Sequence, residues 1–99
     1  MNSRLKDTNL DRLFTVILSL DNLDDAYDFF DDLCTVTELK AMSQRLNVAS
    51  LLRKKIVYTE IVEKTGASTA TVSRVNRSLM YGTNGYERIL SKFDEEPQK

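Results

Sequence analysis

The sequence predicts an all-α fold of six helices organised around a helix-turn-helix, and three observations predict it. Apolar residues recur at helical spacing in every long segment. No stretch alternates apolar and polar residues as a half-buried strand does. Residues 58–79 carry the corner itself. There Ile61 and Val62 form the inner face of a short helix, Gly66 can close it at positive φ without a Cβ clash, and Val72 and Val75 face back from a second helix. Ser68 suits the cap of that second helix, a role typically worth about 1 kcal/mol.

Residues 1–8 are polar and read as a flexible start, residues 9–93 as a single helical domain that contains the corner, and residues 94–99, with the sole proline at Pro97, as a flexible end. Leu10, Leu13, Phe14, Ile17 and Leu18 make the stripe of a first amphipathic helix from Asn9 to about Leu20. Asp21 or Asn22 caps the second, where Leu23, Ala26, Tyr27, Phe30 and Cys34 share a stripe that Phe29 and Leu33 widen. Two stripes this broad exceed what one small core can cover, the pattern of a subunit interface. The acids of helix two (Asp24, Asp25, Asp28, Asp31, Asp32) read as a solvated face: Asp24, Asp28 and Asp31 lie together, but no Gly-containing loop converges oxygens on a cation. No metal is assigned.

Thr35 and Glu38 have the Thr-x-x-Glu spacing of a capping box. The box opens a long central helix, expected to be mostly buried through Leu39, Ala41, Met42, Leu46, Val48, Ala49, Leu51 and Leu52. It ends in Arg53, Lys54 and Lys55, which suit a negative helix end. They are equally well read as phosphate contacts or as a solvated basic terminus. After the corner, Gly82 and Gly85 stop the recognition helix. Tyr86, Ile89, Leu90 and Phe93 then form the stripe of a last helix.

Composition narrows the function. A net charge of −1 over 99 residues conceals a division: residues 1–36 carry −5 and residues 37–99 carry +4. Local field, not net charge, decides where phosphates settle. With no His, a single Cys and no Gly-rich phosphate loop, no catalytic constellation can be assembled, so an enzyme is not expected. A lone cysteine excludes an internal disulfide and suits a reducing cytoplasm. No apolar run is long enough to span a bilayer.

The outward face of the second corner helix holds Thr69, Ala70, Ser73, Arg74 and Arg77, with Thr71 nearby, and no acid. Small hydroxyls and cations of this kind can lie in a DNA major groove. The expected DNA contacts are Ser68, Thr69, Thr71, Ser73, Arg74 and Arg77, with Lys54, Lys55 and Lys64 on backbone phosphates. Two plainer readings stand beside this one. The corner could be only a packing motif, or the chain could be a protein-protein interaction module that uses the apolar faces of helices one and two without DNA.

Thr35 to Leu52, with Glu38, Ala41, Met42 and Arg45, followed by Gly66, Ala67, Ala70, Thr71, Arg74, Ser78 and Leu79, resembles the tryptophan repressor (Trp repressor) family, in particular its YerC/YecD group. The likeness covers roughly residues 9–93. A helix-turn-helix alone is a common signal, whereas Thr35, Arg45 and the run from Arg74 to Ser78 are more specific. The resemblance implies a Trp-repressor-like, intertwined homodimer that places two corners in successive major grooves of a palindromic operator and represses transcription. Water-mediated base contacts, of which that family is a known example, are implied in the same way.

The family also binds L-tryptophan between its central and recognition helices. Carried over by resemblance, the ligand residues are Thr35, Arg45, Arg74 and Ser78. The departure is Val75, where the family has Gly against the indole ring. Three extra carbons in such a slot overpack it by about 1 to 3 kcal/mol or exclude the ring. The expectation is that no cofactor is required, that some small-molecule corepressor stays open, and that Val75 disfavours tryptophan.

Overall fold

The computed structural model describes residues 4–94. Among the described residues the chain forms six α-helices and no strand: α1 Thr8–Leu18, α2 Leu23–Leu33, α3 Val36–Arg53, α4 Tyr58–Thr65, α5 Thr69–Tyr81 and α6 Gly85–Leu90. The chain divides into two compact units, Met1–Leu39 and Lys40–Lys99, with α3 running through the boundary. Most of the flexible end expected at 94–99, Pro97 included, lies outside the described residues, as does the start of the segment expected at 1–8.

In the first unit, local capping sets the helix starts. Asp7 Oδ1 accepts from the Leu10 amide at 2.8 Å, so α1 begins at Thr8, one residue before the periodicity suggests. Lys6 adds an exposed ion pair to Asp11 at 2.7 Å. Of the two caps open for α2, Asn22 takes the role, accepting from Asp25 N at 2.8 Å. The Thr35 and Glu38 box forms in both directions, with Thr35 N donating to Glu38 Oε1 at 2.8 Å and Glu38 N donating to Thr35 Oγ1 at 3.0 Å. Bonds to Thr35 hold the Glu38 carboxyl below its ordinary pKa. Leu13 and Val16 of α1 and Phe29 and Leu33 of α2 line an open groove. No residue of α1 or α2 is fully buried.

In the second unit a small core is built from Val48 and Ala49 of α3, Ile61 of α4, Ala67 in the turn, Val72 and Val75 of α5, and Leu90 of α6. Leu51, Leu52, Ile56, Tyr58, Val62, Leu79 and Tyr86 pack around it. Two expectations are corrected here. The central helix is not mostly buried: only Val48 and Ala49 are, while Met42 and Leu46 are exposed. In the last helix Leu90 is buried and Tyr86 half-buried, but Ile89 is exposed and Phe93, past the helix end, is 79% exposed. Periodicity identifies an apolar face without saying what covers it.

The end of α3 has an unusual residue. Ile56 N donates to Leu51 O at 3.2 Å and Lys55 N to Leu52 O at 3.0 Å, the paired bonds of a Schellman motif. The left-handed position is held by Lys55 at φ 65°, where glycine is usual. After α5, Gly82 is required by a close approach: a Cβ there would sit 2.5 Å from Ser78 O. The left-handed turn residue before α6 is Asn84 at φ 70°, not Gly85.

Candidate nucleic-acid interface

The corner joins α4 to α5 through Gly66, Ala67 and Ser68. Gly66 adopts φ 73° and its amide donates to Val62 O at 2.9 Å, which turns the chain out of α4. Ala67 is buried and anchors the turn to the core. Ser68 is extended, and its Oγ accepts from Thr71 N at 3.1 Å, starting α5. These are the roles the sequence assigns to Gly66 and Ser68.

Burial of Val72 and Val75 fixes which side of α5 faces outward. On that side Thr69, Ala70, Ser73, Arg74, Arg77 and Ser78 are exposed and Thr71 is half-buried. The helix contains no acid over its 13 residues. Among the described residues neither Arg74 nor Arg77 has an acidic partner. Two cations with the same face and no neutralising carboxylate leave a positive field on an otherwise short-chained surface.

The remaining candidates are placed as follows. Lys54 and Lys55 are exposed just before α4. Lys64 is exposed and pairs with Glu60 one turn back at 2.9 Å, an exposed pair of the kind typically worth less than about 1 kcal/mol. The hydroxyls of Ser68 and Thr71 bond each other at 3.0 Å, so part of their capacity is spent inside the cap. Arg53 fits neither reading of the α3 end, phosphate contact or solvated basic terminus. Its side chain is 7% exposed and bonds Glu87 at 2.9 Å and Asp94 at 3.3 Å. The Glu87 bond raises its pKa further, and the guanidinium is consumed within the fold.

Of the residues that resemblance links to a ligand, Arg45 is half-buried on α3, and Arg74 and Ser78 are exposed on α5. In the first unit, Thr35 is occupied with its capping box. Val75 is 2% exposed and belongs to the core, packed with the residues that fix α5.

Two residues that hold the corner, one within it and one on α3, escaped the sequence reading. Thr65 Oγ1 donates to Ile61 O at 2.7 Å and accepts from Ala67 N at 3.1 Å, stitching α4 to the turn. Gln44 Nε2 donates to Thr65 O at 3.2 Å from α3. A Thr immediately before the closing Gly is a local signal, because its hydroxyl can bond back to the helix. Gln44 gives no local signal, since its partner is 21 residues away.

An all-α unit with this corner and an acid-free, cationic outer helix face defines a helix-turn-helix protein. The family model for the Trp repressor protein matches residues 8–94, and the chain belongs to that family. Its members are regulatory DNA-binding proteins, which places the chain among regulators and not enzymes. The chain is 50% identical over 92 residues to YerC of Bacillus subtilis (strain 168), itself an uncharacterized protein, covering 93% of this chain and 88% of that one. A crystal structure of a TrpR-like protein from Eubacterium eligens superposes with a TM-score of 0.89 at 52% identity, over 96% of this chain and all of the other. A candidate Trp repressor from Staphylococcus aureus gives 0.91 at 46% identity, over 96% of this chain and 95% of that one.

Proposed function

We propose that the chain is a sequence-specific transcriptional regulator, acting as a repressor in the cytoplasm, that binds a palindromic duplex operator as a homodimer. The observation that carries this reading is the outer face of α5: among the described residues Arg74 and Arg77 stand free of acidic partners, on a helix whose opposite side is locked by Val72 and Val75. Arg74, Arg77 and the hydroxyls of Ser68, Thr69, Thr71 and Ser73 meet base edges and bordering phosphates, while Lys54, Lys55 and Lys64 hold the backbone.

Dimerisation is supported by what the first unit leaves uncovered. Phe14, Leu18, Leu23, Tyr27 and Leu33 are exposed on α1 and α2, Leu18 at 84%. A second copy is the occupant that also supplies a second recognition helix, one helical turn of DNA away. Repression needs no cofactor in this reading. Val75 fills volume beside Arg74 and disfavours tryptophan; an effector of another shape would enter around Arg45, Arg74 and Ser78.

The same exposed faces support a second reading, a protein-interaction module that never touches DNA. Duplex binding measured across salt concentrations separates the two. A steep decline of log K with log salt is expected for the wild type, and Arg74→Ala with Arg77→Ala should flatten the slope by roughly 0.9 for each phosphate no longer neutralised. No retention on duplex DNA even at low salt would favour the interaction module. Unchanged binding by the double variant would remove α5 from the interface.

A further inference from the structure

We infer that Gln44 is a positioning residue for DNA recognition, acting as a strap by which α3 sets the geometry of the helix-turn-helix; this rests on the DNA-binding reading above. The end of α4 must dispose of carbonyls that have no partner inside the helix. Val62 O is taken by Gly66 N at 2.9 Å. Ile61 O, already bonded within the helix, accepts a second bond from the Thr65 hydroxyl at 2.7 Å. Thr65 O, at the point where the chain leaves α4, is taken by Gln44 Nε2 at 3.2 Å.

Among the described residues this is the one side-chain hydrogen bond from α3 into the corner. Beside it stands apolar packing, in which Val48 and Ala49 share a core with Ile61, Ala67, Val72 and Val75, and Leu51, Leu52, Tyr58 and Val62 pack around it. Apolar packing is non-directional, so on its own it leaves α4 free to shift along α3. A hydrogen bond has a preferred distance and angle and removes that freedom. Gln44 stands one turn before Val48, on the face of α3 that packs against the corner. It is the polar continuation of the buried stripe, where an aliphatic residue would serve packing equally well.

The strap continues through Thr65. The residue that accepts from Gln44 with its carbonyl also accepts from Ala67 N with its hydroxyl at 3.1 Å, and Ser68 follows to cap α5. Gln44, Thr65, Ala67 and Ser68 thus form a chain of directional contacts from α3 to the first turn of the recognition helix. Arg74 and Arg77 sit on that helix, so losing the first link changes their aim without removing any group that touches DNA.

The test compares wild type with Gln44→Met, which keeps length and apolar contact but removes the donor, and with Gln44→Glu, which sets an acceptor against the Thr65 carbonyl. Two readouts are taken on the full chain: native-state exchange of the Gly66 and Ala67 amides, and the ratio of affinities for a selected duplex and a random one. Loss of one such bond is expected to speed exchange at those amides about five- to tenfold and to lower the specificity ratio by a similar factor, with more effect for Gln44→Glu. The α1 amides and the salt slope should stay as in wild type. The inference is overturned if exchange at Gly66 and Ala67 is unchanged or rises equally in every helix, or if affinity for both duplexes falls in proportion. Should the wild type prefer no duplex, the DNA-binding reading fails by itself, and the exchange readout alone decides whether Gln44 holds the corner.

Discussion

Arg53 Nε donates to Glu87 Oε2 at 2.9 Å, joining the last turn of α3 to α6 across 34 residues of chain. The guanidinium is almost wholly enclosed, while Glu87 keeps about half its surface in water and Asp94 adds a second carboxylate at 3.3 Å. Such a pair lies between an exposed ion pair and a buried one. Arg53→Met is expected to cost about 1 to 2 kcal/mol in urea unfolding while leaving the salt slope of DNA binding unchanged. A reduced slope would return Arg53 to the set of phosphate contacts.

Lys55 occupies a left-handed position at φ 65° that suits glycine, and it stands exposed immediately before the corner. Relief of the strain in Lys55→Gly should raise stability by about 1 kcal/mol. The same change should weaken duplex binding and flatten the salt slope by roughly 0.9. A variant that gains stability and binds DNA as before would take Lys55 out of the interface.

Val75 ties the ligand question to the core. Because its side chain is buried with Ile61 and Val72, Val75→Gly should destabilise the fold by about 3 kcal/mol, combining the removal of methyl packing with the cost of Gly inside a helix. A ligand that binds only the native state raises apparent stability, so excess tryptophan is expected to leave the wild-type melting temperature unmoved. A rise of several degrees would show that the ring finds room despite Val75.

The capping box gives a pH signature. Hydrogen bonds from Thr35 hold the Glu38 carboxyl below its ordinary pKa. The native pKa is then lower than the unfolded one, so the contribution is complete above the unfolded value and is lost as pH falls through the native value. An NMR titration should find Glu38 ionising below the ordinary value for a glutamate carboxyl, and Thr35→Val should move it back up. Glu38 titrating at the ordinary carboxylate value in wild type would contradict the box.

What was legible in the sequence was local. Thr35 with Glu38, Ser68 with Thr71, and Gly66 at its positive φ all act within a few residues, so residue type and spacing suffice to place them. The helix count and the corner follow from periodicities of the same short range. Arg53 and Gln44 were not legible, because each is decided by a partner 21 or more residues away. Met42, Leu46, Ile89 and Phe93 mark the other limit: their spacing announces an apolar face, but burial depends on what lies opposite.

The most direct test of DNA recognition by α5 is selection of bound duplexes from a random DNA library at moderate salt, with and without added amino acids. Enrichment of a palindrome whose half-sites lie about one helical turn apart is expected, and the Arg74→Ala variant should lose it. No enrichment under either condition would contradict that recognition and leave the exposed faces of α1 and α2 as the functional surface.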